Sequence, residues 1–213
     1  MLKHLIKHPS SNTNKPKALF MLHGFGSNEA DLFSLAGMMP DNLLIISIRA
    51  PYALEFGGYA WYDIQISPEG LKRSDNFQAE DSLHQINLFI DKILREHQID
   101  PDNINLLGFS QGAILSYALS LLYPEKIKNI IALSGYINRD IMPVDFSFEK
   151  YKHLNFFISH GIYDDIIPVE KAREILPYLD ERNIKYTYNE YSMGHEVNPA
   201  CMNDMLKWIN QNL

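Results

Sequence analysis

Short apolar runs and longer amphipathic segments alternate along the chain, and the contrast between them predicts the architecture. Residues 17–22, 43–48, 104–107, 127–133 and 155–159 are dense in Leu, Ile, Phe, Met and Ala, and each is bounded by Gly, Pro, Asn or Asp. A short apolar run closed by turn formers is the pattern of a strand covered on both faces. Between these runs, residues 29–38, 77–97, 111–122, 169–181 and 199–211 repeat apolar side chains at helical spacing. In the second of them Leu83, Ile86, Phe89, Ile90, Ile93 and Leu94 share a stripe that Glu80, Asp81, Asp91, Lys92 and Arg95 avoid, so this helix covers a sheet. Residues 184–190 alternate tyrosines with polar residues and predict a further strand nearer a sheet edge. Strands alternating with helices imply right-handed crossovers, and therefore an α/β fold with a mainly parallel sheet and helices on both faces. Residues 51–74 and 136–152 fit neither pattern. Both are long, aromatic and follow a predicted strand, as expected of loops that shape a binding site.

Composition narrows the class. With 213 residues the chain can close one sizeable core and has too little left for another, so one domain over 1–213 is expected. The hydrophobic share of 46% and charged share of 21% are those of an ordinary globular protein. A formal charge of −7 disfavours a polyanionic partner, and nucleic acid is not expected as one. The opening MLKHLIKHP scatters Lys and His among its apolar residues and lacks the apolar stretch of about 7–15 residues that a signal peptide needs. No later segment approaches the roughly 20 apolar residues of a membrane span. One cysteine, Cys201, leaves no intrachain disulfide, which fits a reducing compartment; a cytoplasmic location is the expectation.

The stretch LGFSQG (107–112) carries the chemistry. It sets Ser110 between Gly108 and Gly112, after a predicted strand and before a predicted helix. A Gly-x-Ser-x-Gly turn in that context lifts the hydroxyl above the sheet edge, with glycines where a Cβ would collide with strand or helix. A nucleotide-binding turn is the competing reading, but the further glycine of a dinucleotide fingerprint and the Gly-Lys-Ser/Thr of a phosphate loop are both missing. A serine hydroxyl at neutral pH needs a histidine to take its proton and a carboxylate to orient that histidine, in the chain order Ser, Asp or Glu, His. In HGIYDDIIP (160–168), Asp164 lies in a loop at the carboxyl end of a predicted strand, with Asp165 the competing choice. His195, in SMGHE (192–196), is the one histidine after Asp164 and lies in a glycine-containing loop between the last strand and the last helix. The oxyanion of a tetrahedral intermediate needs two amide donors. Gln111, directly after the serine, supplies one, and HGFG (23–26) offers the other, with Phe25 as donor.

Taken together, the chain resembles the phospholipase/carboxylesterase family of α/β-hydrolases, which includes acyl-protein thioesterases. The matching segments are LHGFGSNEADL (22–32), RAPY (49–52), GGYAWYDI (57–64), GFSQGA (108–113), ALSGY (132–136), HGIYDDIIP (160–168) and MGHE (193–196), spread over most of the chain in the family's order. The resemblance implies the α/β-hydrolase fold, with Ser110 as nucleophile, Asp164 rather than Asp165 as acid, His195 as base, and the Phe25 and Gln111 amides as oxyanion hole. It also implies that Trp61 and Tyr62 line the substrate site. Ala113 stands where many members have another glycine, and Ser192 where glycine often precedes Met-Gly-His; neither change removes a reacting group.

The activity so implied is that of a carboxylesterase or acyl thioesterase, a serine hydrolase working through an acyl-enzyme on a small-molecule or acyl ester or thioester substrate. No metal or cofactor is expected, and the isolated Cys201 reads as a partly buried helix residue. Tyr52, Phe56, Tyr59, Trp61, Tyr62, Tyr136, Phe146 and Phe148 gather in the two irregular stretches, as suits an acyl-binding cleft. Exposed apolar surface around it would suit a homodimer contact. Two alternatives stay open: a dienelactone-type hydrolase, which usually places cysteine at the turn, and a ligand-binding module that kept the fold without the chemistry.

Overall fold

The five apolar runs become strands because almost every residue in them leaves water. The structure is a computed structural model that describes residues 2–10, 15–66, 72–143 and 148–213. Its main sheet has seven strands: β1 (His4–Lys7), β2 (Lys17–Leu22), β3 (Leu43–Ile48), β4 (Ile104–Phe109), β5 (Ile127–Leu133), β6 (Asn155–Gly161) and β7 (Lys185–Tyr191). They lie in the order β1-β3-β2-β4-β5-β6-β7. All neighbours are parallel except β1 and β3. Register aligns the carboxyl ends of the central strands, with Leu22 opposite Gly108, Gly108 opposite Ala132, and Leu133 opposite Ser159. The residues that follow each strand therefore converge on one edge.

The strand alternation feeds two cores. Ala18, Phe20 and Leu22 of β2 face one side, where they join Leu83, Ile86, Phe89, Ile90 and Ile93 of α2 (Asn76–His97) and Ile114, Leu115 and Ala118 of α3 (Gln111–Leu122). Leu19 and Met21 face the other, against Leu32 of α1 (Glu29–Phe33) and Met205, Trp208 and Ile209 of a C-terminal helix (Pro199–Asn212). Helices thus cover both faces, as the pattern predicts. α3 is buried from Gln111 through Leu121, with Gln111, Ser116 and Ser120 among otherwise small or apolar residues.

Several boundaries differ from expectation. β1 was not anticipated: its four residues HLIK are half-buried and pair at the edge with β3. The 29–38 segment is α1 followed by a 3-10 turn, Ser34–Met38. Segment 169–181 breaks into α4 (Val169–Arg173) and α5 (Ile175–Asp180), because Pro177 has no N–H for the Arg173 carbonyl. The irregular 51–74 stretch holds two small hairpins, Tyr52–Ala53 with Tyr59–Ala60 and Ile64–Ile66 with Lys72–Ser74. We label the C-terminal helix α6.

Candidate active site

At the end of β4 the backbone turns sharply through Ser110, with φ 53° and ψ −117°, and α3 begins at the next residue. Both flanking glycines are required by space: a Cβ on Gly108 would lie 2.4 Å from the Gly112 carbonyl oxygen, and one on Gly112 1.9 Å from that of Leu22. A left-handed serine costs about 1–3 kcal/mol and persists only where its surroundings hold it. Here its N–H donates to Leu133 O at 2.9 Å, and its carbonyl accepts from the Ala113 and Ile114 amides at 2.9 and 3.1 Å. The departure at Ala113 is accommodated across the turn: a Cβ at Gly135 would fall 2.6 Å from the Ala113 methyl, so glycine there leaves that methyl its place.

The structure brings Ser110, His195 and Asp164 into one hydrogen-bonded chain. His195 Nε2 is 2.8 Å from Ser110 Oγ, and Nδ1 is 2.7 Å from Asp164 Oδ2. With Nδ1–H donating to the carboxylate, Nε2 is left to accept from the serine hydroxyl. The remaining oxygen of Asp164, Oδ1, accepts from the amides of Ile166 and Ile167 at 3.0 and 2.8 Å, while the Asp164 side chain itself is fully buried. Asp165, the competing choice, is exposed. The loops that carry acid and histidine are joined through backbone: Ile162 N–H donates to Tyr191 O and Tyr163 N–H to Met193 O. Gly161 allows this approach, since a Cβ there would sit 2.2 Å from Gly194 O.

A third loop, 23–28, passes within van der Waals reach of the serine, its Gly24 packed against Phe109 and the Ser110 Cβ. His23 anchors it from the core. Its Nδ1–H donates to Gly24 O at 2.8 Å, and Nε2 accepts from Ala50 N–H at 3.0 Å. Burial holds this imidazole below its usual pKa and therefore neutral. The Phe25 and Gln111 amides have no acceptor among the described residues. Gln111 has a second role that the sequence did not reveal: its side chain accepts from Trp61 N–H at 2.8 Å and donates to Tyr62 O at 2.7 Å, tying the serine turn to the 51–66 stretch.

Trp61 and Tyr62, expected to line the substrate site, leave almost no surface to solvent. Both are fully buried beneath the turn, and the Trp61 indole N–H donates to His23 O at 2.9 Å. Of the other aromatic candidates, Phe56 is exposed with its ring 6.3 Å from that of Phe25, Tyr52 bonds Asp81, and Tyr59 bonds Arg49. Tyr136 is half-buried against the core. Phe146 and the Phe148 side chain lie outside the described residues. Exposed apolar groups at the site are instead Phe25, Phe56, Ile162, Tyr163 and Ile166. Cys201 is fully rather than partly buried on α6 and donates to Ser159 Oγ at 3.2 Å. Among the described residues no group of three or more metal-binding side chains converges, and no helix is long and apolar enough to cross a membrane.

A serine alkoxide precursor beside an imidazole, an oriented carboxylate and two amides without acceptors is an arrangement suited to acyl transfer. Comparison with known proteins points the same way. The chain is 30% identical over 158 residues to acyl-protein thioesterase 1 of Kluyveromyces lactis, covering 72% of this chain and 69% of that one. The corresponding protein of Emericella nidulans is 27% identical over 91% of this chain and 89% of its own. The match to the SOBER1-like protein of Arabidopsis thaliana, 26% identical over 76% of this chain, spans 63% of that protein's length. Among solved structures, the Bacillus cereus carboxylesterase superposes with a TM-score of 0.83 at 23% identity, covering all of this chain and 95% of its own, which establishes the α/β-hydrolase fold. The phospholipase/carboxylesterase family matches residues 6–213, from within β1 to Leu213 just past α6, so the serine turn and both partner loops fall within it, and the chain belongs to that family.

Proposed function

We propose that the protein is a serine hydrolase that cleaves carboxylic esters or thioesters through an acyl-enzyme. The observation that carries this reading is the continuous Ser110–His195–Asp164 chain, at 2.8 and 2.7 Å. Ser110 Oγ attacks the acyl carbonyl carbon as His195 Nε2 takes its proton, and Asp164 stabilises the imidazolium. The Phe25 and Gln111 amides hold the oxyanion, each contributing about 3 kcal/mol in comparable sites. His195 then protonates the departing alcohol or thiol. Water, deprotonated by the same imidazole, releases the acid and restores the serine.

In this reading the apolar substrate contacts fall to Phe25, Phe56, Ile162, Tyr163 and Ile166, exposed on the loops that follow the strand ends. Trp61 and Tyr62 support the site from below. The thioesterase name of the fungal relatives supports extending the substrate class from oxygen esters to acyl thioesters, and a length of 213 residues with a single cysteine supports one domain working in the cytoplasm.

The test is hydrolysis of p-nitrophenyl esters of increasing chain length by the wild type and Ser110→Ala. Loss of a nucleophile of this kind lowers kcat by about 10⁴-fold or more. Equal rates for the two proteins would overturn the assignment. Binding of acyl esters by wild type with no turnover would instead mark a binding module.

A further inference from the structure

Arg49 lies outside the hydrogen-bonded chain, at the end of β3, yet it holds both borders of the loop that carries Phe25. On one side its Nε and one terminal nitrogen make a bidentate pair with Glu29, 2.5 Å to each carboxylate oxygen. Glu29 is the first residue of α1, directly after the loop, and its side chain is almost wholly buried. On the other side the remaining nitrogen donates to the Tyr59 hydroxyl at 2.9 Å, and the guanidinium lies 4.3 Å from the Tyr59 ring centre. Tyr59 is bound to the loop by backbone, accepting from Gly26 N–H at 3.0 Å and donating to Ser27 O at 2.8 Å. Gly58 makes that approach close: a Cβ there would fall 1.9 Å from Gly26 O.

We propose that Arg49 is a positioning residue that sets the Phe25 amide against the developing oxyanion, by fixing the start of α1 and the Tyr59 strand with one planar cation. The inference rests on the esterase reading above. Its physical basis is that amide donors stabilise a transition state only when already aimed, and a rigid five-donor fork can fix two neighbours at once. A lysine, a point charge on a flexible stem, can satisfy Glu29 or Tyr59 but cannot span both.

A purely structural ion pair would affect stability and leave the chemistry of the folded enzyme alone, and this difference decides the test. Arg49→Met, Arg49→Lys, Glu29→Gln and Tyr59→Phe are compared with wild type for kcat and KM on p-nitrophenyl butyrate. The same set is measured for inhibition by an alkyl trifluoromethyl ketone, whose carbonyl adds the serine oxygen to form a tetrahedral oxyanion. Melting curves report folding. Misaiming one donor is expected to lower kcat about tenfold or more in Arg49→Met, with KM within about threefold and ketone affinity weakened in proportion. Arg49→Lys recovers only part of the loss, and Tyr59→Phe shows a smaller one of the same kind. If Arg49→Met does not fold, Tyr59→Phe and Glu29→Gln carry the test. Folded variants that keep wild-type kcat and ketone affinity overturn the proposal. Wild-type activity indifferent to Ser110→Ala would instead overturn the esterase reading on which it stands.

Discussion

Single residues at this site are explained by what their atoms must satisfy. His160, fully buried in β6, donates Nε2–H to Ile167 O at 2.8 Å, with Asp164 Oδ2 3.2 Å from the same nitrogen. Asp164 therefore receives His195 and two amides, and the His160 ring, which holds the Ile167 carbonyl of the same loop, packs against its carboxylate. His160→Leu removes the N–H that holds the Ile167 carbonyl beside the carboxylate and is expected to lower kcat about tenfold, whereas His160→Gln, which keeps a donor there, retains most of it. Equal losses in the two variants, measured on folded protein, would mean that His160 acts through packing alone. His23 gives a second test, this one of stability. Because burial depresses its pKa below 6.5, the unfolded chain binds a proton that the native ring refuses as pH falls. Its contribution is complete above the unfolded value and is lost on acidification, by up to about 1.4 kcal/mol per pH unit. Thermal melts between pH 7 and 5 should therefore fall more steeply for wild type than for His23→Asn, although the variant begins lower. Parallel curves would count against a neutral buried His23.

Elements, more than residues, decide what could be read in advance. α3 and β4 were legible because mostly apolar runs on either side of a Gly-x-Ser-x-Gly turn have few other physical solutions. Asp164 and His195 were legible from chain order and from lying after strands. β1 was not, since a Leu-Ile pair between one His and one Lys carries too little pattern, and its place depends on the β3 edge rather than on itself. Nor was the break at Glu174, where a helical period continues across a proline that ends the hydrogen-bond ladder. Trp61 and Tyr62 illustrate the limit of composition: aromatic residues in an irregular stretch suggest a cleft, yet the Gln111 side chain ties their backbone to the serine turn and both rings are buried. Contacts such as Arg49 with Glu29, twenty positions apart across a strand and a helix start, obey no period and appear only once the sheet is assembled.

For the whole molecule, the sheet sorts charge as well as chain. Lys15, Lys17, Lys126, Lys128, Lys150, Lys152 and Lys185 cluster in sequence at or before the amino ends of β2, β5, β6 and β7. At the opposite edge, residues 23–31, 51–65, 108–113, 134–138, 161–168 and 192–200 contain no Lys or Arg but include Glu29, Asp31, Glu55, Asp63, Asp164, Asp165 and Glu196. Arg49 cancels Glu29 in their partly buried pair, and Arg73 and Arg139 lie just beyond these segments, so the excess rests on Asp31, Glu55, Asp63, Asp165 and Glu196. A substrate approaching the serine thus meets loops with an acidic excess, added to a net charge of −7. Leaving groups should be discriminated accordingly: an octanoyl thioester of thiocholine should exceed that of N-acetylcysteamine, and both should exceed octanoyl-coenzyme A, in kcat/KM followed by thiol release. At low ionic strength the extremes should differ by about tenfold or more, because screening over about 8 Å at 0.15 M has not yet set in. Added salt should narrow the spread, and Asp165→Asn with Glu196→Gln should narrow it further at low salt. Size alone would also slow the coenzyme A ester, but a steric penalty is indifferent to salt and to both substitutions. An unchanged ratio under those two treatments would remove charge as the selecting force.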